Sequence, residues 1–149
     1  MAKNFDIAIR LLDGLADKVK AQKEFLVVPS LLMGYAAYQT RIFEGGLLPS
    51  GGKIQMGYKR TQRGKRIKSG RQVGFVDFNF TGSLKSDIVV NQEELKIEFH
   101  GGDGSLELQK ANWLDEQFAG SPFEMSDDEV NIIANGVMKD LEGYFNSML

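Results

Sequence analysis

The chain has 149 residues, a length that suits one domain spanning 1–149. It holds no cysteine and a single histidine, His100, which excludes disulfides, thiolate nucleophiles and multi-histidine metal centres. The net charge of −2 hides an asymmetry: from Gly45 to Val76 there are eight cations and no acid, so the other ten cations share the chain with all 20 carboxylates.

In chain order, the start MAKNFDIAIRLLDGLADKVK is a charged amphipathic run without the apolar core of a signal peptide. Phe5, Ala8, Ile9, Leu12, Leu15, Ala16 and Val19 recur at helical spacing, and Asn4 is placed to cap them. No apolar run reaches the ~20 residues that span a bilayer, so the expected site of synthesis is the cytoplasm. A second helix is expected from Pro29 to Phe43, with Pro29 in its first turn and Gly45-Gly46 ending it. Residues 45–74 show no apolar period and are rich in glycine. They read as an extended basic arm, ordered mainly by a partner.

Phe75 to Phe80 alternates, which predicts a half-buried strand with Val76, Phe78 and Phe80 inward and Phe75, Asp77 and Asn79 outward. Thr81-Gly82 ends it. Asp87 to Val90 and Leu95 to Phe99 predict a hairpin across residues 91–94, with Ile88 and Val90 facing Leu95, Ile97 and Phe99. GGDG at 101–104 reads as a turn. Ser105 to Phe118 predicts a helix with Leu108, Ala111 and either Leu114 or Trp113 inward, closed by Gly120. Ser126-Asp127-Asp128-Glu129 is a capping box opening a last helix, whose stripe is Val130, Ile133, Val137, Leu141 and Tyr144. The order predicts an α+β fold: a small antiparallel sheet packed by N-terminal and C-terminal helices, with a long basic arm between helix 2 and the first core strand.

Candidate chemistry is sparse. Gly57 and Gly64-Lys65 fail as a phosphate loop, because six residues separate the glycines and Arg66 stands where a Ser or Thr must hold magnesium. His100 beside Glu98 and Asp103 has the makings of a general base, but a turn histidine in solvent explains it better. Helix capping accounts for Asp127, Asp128 and Glu129 without a metal. Asn79-Phe80-Thr81 is a glycosylation sequon that has no meaning without a signal peptide. The strongest signal is the one-signed charge of Lys53, Lys59, Arg60, Arg63, Lys65, Arg66, Lys68 and Arg71. These cations are candidates for contact with DNA or with the acidic body of a second copy. Tyr58 is the sole aromatic residue near them in sequence, which argues against base stacking and for phosphate contact or docking.

The helix pair, the basic linker and the string VDFNFTGSLKSDI resemble phage tail-completion and head–tail joining proteins, the neck or virion-morphogenesis family. The strand with its Thr-Gly-x-Leu-x-x-(Ser/Asp)-Ile step, here Thr81 to Asp87-Ile88, carries most of the likeness. The ending ANWLDEQFAGSPFEMSDDEVNIIANGVMKDL is similar as well, with a helix, a glycine, an aromatic-containing segment at 121–123 and a capped last helix. RGKRIKSGRQVGFVDFNFTG looks in particular like versions from phages of Bacteroidetes, including crAss-like phages. The chain departs from the pattern in its long basic insertion and in lacking an arginine before Phe123. The resemblance implies a virion protein of the neck: no enzyme and no cofactor, but a homo-oligomeric ring between portal and tail. It implies contact with portal and other neck or tail proteins, and non-specific contact with channel DNA. A different class of function, a nucleic-acid-binding module gripping phosphate with the arm, stays open beside it.

Overall fold

The computed structural model describes residues 13–55, 57–78, 82–100, 104–118 and 120–148. It is an α+β fold, with six helices and one two-stranded antiparallel sheet among the described residues. The proposed cap Asn4 and the apolar positions up to Leu12 lie outside the described residues, as do Asn79, Phe80 and Thr81 of the strand and sequon, and 101–103 of the GGDG turn.

Helix α1 (residues 13–21) runs through Gln22 into α2 (Lys23–Gln39), since Gln22 N–H still bonds back to Lys18 and its carbonyl accepts from Leu26. Pro29 is therefore inside a helix, not at its start. The carbonyl it leaves unbonded belongs to Phe25, a residue 75% exposed, where water can meet it. The helix does stop at Gly45-Gly46, by widening into a π turn (Thr40–Gly45) and then a left-handed Gly46 at φ 60°. A Cβ on Gly46 would sit 2.4 Å from the Val76 carbonyl oxygen, so glycine is required there sterically as well.

The basic segment lies between α2 and the sheet, as expected, but it is not structureless. Arg60–Lys68 forms α3, and Gln55 and Gly57 pair with Val76 and Gly74 through backbone hydrogen bonds of 2.9 and 3.0 Å. Phe75 to Phe78, in turn, is no regular strand. Phe78 turns left-handed at φ 51°, and Asp77, expected outward, is 4% exposed. A short α4 (Ser83–Asp87), absent from the sequence reading, leads directly into β1 (Ile88–Asn91).

The hairpin forms, but each strand begins one residue later than expected, Asp87 belonging to α4. Strand β1 pairs with β2 (Lys96–Phe99), Ile88 opposite Phe99 and Val90 opposite Ile97, while Leu95 sits in the turn at φ 53°. Asn91 accepts the Glu93 and Glu94 amides and so closes that turn. Helix α5 (Leu106–Gln117) is capped by Ser105 and buries Ala111; Leu114 is half-buried, and Trp113 points out. Helix α6 (Asp127–Asn146) opens on the expected capping box. It lies antiparallel to α2, close enough that a Cβ on Gly136 would touch the Ser30 hydroxyl, and Ile133 fills the space beside Gly34. Of its expected stripe, Val130 is exposed and the other four are half-buried. The core is Tyr38, Ile42, Phe43, Leu84, Ile88 and Ala111, with Phe99 and Phe123 packed on it.

Arg41, on the π turn, ties the fold together. Its Nε donates to Glu129 Oε1 at 2.7 Å, and its two Nη atoms donate to the carbonyls of Leu47, Pro122 and Glu124. Glu129 is the same carboxylate that closes the capping box, which rules it out as a spare metal ligand.

Candidate functional site

The eight cations do not form one surface. Arg66 is 3% exposed and faces inward, where its Nη2 reaches both Asp77 oxygens at 2.9 and 3.0 Å and its Nε donates to the Gln72 carbonyl. Tyr58 donates to Asp77 Oδ1 at 2.7 Å and accepts the Asp77 amide at 2.9 Å. Gln72 donates to Asp77 Oδ2, and the Arg66 guanidinium lies 4.2 Å over the Tyr58 ring. Burial foremost, with the hydrogen bond to Asp77 behind it, pushes the Tyr58 phenol up to about 12. This is a closed polar knot: each buried group meets a partner, so the knot holds the basic segment down and offers no reactive group.

The knot sets where the other cations point. Arg60 and Arg63 share the outer face of α3 with Ile67, three and seven residues along, and Lys68 adjoins them. All four are exposed, Ile67 to 58%. Lys65, Arg66 and Lys68 in the last turn suit the negative end of the helix dipole. Lys53 donates to the Gly45 carbonyl at 2.8 Å and covers the Phe75 ring, so it serves its own turn. Arg71 is exposed just beyond α3, its amide bonded to the Arg66 carbonyl.

Lys59 and Lys65 border a groove of about 470 Å³ between α3 and α5. Its walls are aromatic: Tyr58, Phe78, Trp113 and Phe118. Phe78 is fixed there edge-on to Phe118 and stacked on Phe123, with centroids 5.3 and 5.2 Å apart. Gln55, Gln62 and Gln117 add amides, and none of the lining residues is acidic. Tyr58 is thus not the lone aromatic near the cations. Trp113, 58% exposed, stands with Lys59 and Lys65 although α5 is remote from the arm in sequence.

The remaining candidates are quiet. His100 is exposed and its amide bonds to the Asp87 carbonyl; Asp127 and Asp128 are exposed at the α6 N-terminus. Among the described residues no cluster of three or more His, Cys, Asp or Glu could hold a metal, and no helix is long and apolar enough to cross a membrane. Comparison with protein-family models, with characterised proteins and with solved structures returns no match for this chain.

Proposed function

We propose that this chain is a structural virion protein and not an enzyme: a subunit that assembles with its own copies into a ring in a phage neck, between portal and tail. The observation that carries the reading is charge polarity on a rigid frame. Folding hides Arg66 and leaves Lys59, Arg60, Arg63, Lys65 and Lys68 exposed on and beside one short helix. The long helix α6 carries four carboxylates against one lysine, besides Glu129, which is buried against Arg41. A subunit with a cationic side and an acidic side favours head-to-tail contact, which closes into a ring when the rotation allows. The likeness of VDFNFTGSLKSDI to tail-completion proteins supplies the phage context.

A second reading, a nucleic-acid-binding module, draws on the outer cations of α3, which pair with no acid among the described residues and lie open to phosphate. Mass photometry of the purified chain, together with gold labelling of virions, tests the two. Rings in solution and label at the neck are expected. A monomer absent from particles, with tight and strongly salt-dependent DNA binding, would sink the ring in favour of the module.

A further inference from the structure

Among the described residues, two surfaces without a partner complement each other. The first is the groove, with aromatic walls, lysine rims and no acid. The second is a ridge on α6, where Val130, Ala134 and Met138 follow at intervals of four and are all exposed, Val130 to 49% and Met138 to 57%. Phe145, 38% exposed, continues the same face, so the ridge runs for about 22 Å at 1.5 Å per residue. Exposed Asp127, Asp128 and Glu142 flank it. Helix α6 lies against α2, whereas the groove lies between α3 and α5.

Resting on the ring reading, we infer that the groove receives the α6 ridge of a second copy, and that this is the contact that propagates the ring. The apolar stripe meets Trp113 and Phe118, and the acidic flank meets Lys59 and Lys65. Charge selects the arrangement. Groove on groove would face lysines with lysines, and ridge on ridge would face carboxylates with carboxylates. Only groove on ridge pairs opposite signs, and it is a heterologous contact that leaves a free groove at one end of every open chain and a free ridge at the other until closure.

The test uses two full-length variants changed only at exposed residues. One is Lys59→Glu with Lys65→Glu, which spoils the groove. The other is Val130→Glu with Met138→Glu, which spoils the ridge. Circular dichroism establishes that both fold, and the single changes Lys59→Glu and Met138→Glu stand in if a double variant does not. Each variant alone should associate at least tenfold more weakly than wild type. Mixed in equal amounts they should form a one-to-one dimer and nothing larger, because the mixture holds a single intact groove–ridge pair. Emission from Trp113, the chain's one tryptophan, should shift to the blue in that dimer.

Wild-type-like assembly by either variant, or a mixture that stays monomeric, overturns the inference and leaves the ring reading standing. A groove variant that assembles normally but loses quenching of Trp113 by an oligonucleotide reassigns the groove to nucleic acid. A wild-type chain that remains monomeric at every concentration removes the ring reading and the inference together.

Discussion

Arg66 and Asp77 meet at 2.9 Å in the interior, and this pair turns a glycine-rich basic segment into part of the folded body. Removing one member strands the other as a buried charge, which typically costs about 3–5 kcal/mol. Arg66→Ala and Asp77→Ala should each lower the melting point severely, while Arg66→Met with Asp77→Leu recovers much of the loss. Chemical denaturation of all three variants measures this. Additive losses in the double variant would show that the pair is not coupled.

Gly46→Ala should destabilise by about 3 kcal/mol. Roughly 1–2 kcal/mol comes from a left-handed residue with a side chain, and the rest from overpacking against the Val76 carbonyl. Gly14→Ala, at a helical position with nothing within 4 Å, should be neutral or slightly stabilising. Equal melting points for the two variants would contradict the placement of Gly46.

Alkaline stability should depend on Tyr58. Its folded pKa of about 12 lies above the ordinary 10.0, so the unfolded chain gives up this proton first. Stability from the phenol is complete below pH 10 and is lost as pH rises toward 12. Denaturation midpoints across that range should fall less steeply for Tyr58→Phe than for wild type, from a lower starting stability because a hydrogen bond is gone. Parallel curves would mean that Tyr58 is not protected.

The outer cations of α3 should act separately from the groove. Replacing Arg60, Arg63 and Lys68 by alanine should weaken assembly far less than the Lys59→Glu, Lys65→Glu change does, since only long-range charge is lost, and should reduce the salt slope of DNA binding by about 2.7, at roughly 0.9 per lost phosphate contact. Salt titration beside sedimentation reads both. An unchanged slope would mean that these side chains never touch phosphate, and lost assembly would place them in the subunit contact.

Legibility in the sequence followed the kind of interaction holding each element. The hairpin could be read because its apolar residues alternate, and α6 because Ser126 and Glu129 sit three apart before an apolar stripe. Helix α3 could not, since its inward anchor is Arg66, and periodicity weighs an arginine as surface. The same pair misled the reading of Asp77, whose place in the alternation says outward while its partner draws it in. Pro29 was a fair sign of a helix start, overridden because the preceding turn is open to water. The groove was invisible for a different reason: Lys59 and Trp113 are brought together only by tertiary packing.

The distances along the chain between Arg41 and its acceptors have a consequence for synthesis. Leu47 is six residues away, but Pro122, Glu124 and Glu129 follow 81 to 88 residues later. A nascent chain therefore has to hold this guanidinium in water until its last quarter has emerged from the ribosome. Closure of α6 onto α2 is a late event of high contact order. Since α6 also carries the ridge, a polypeptide cut short before Glu129 loses the latch of its own fold and the surface by which it joins others in one stroke.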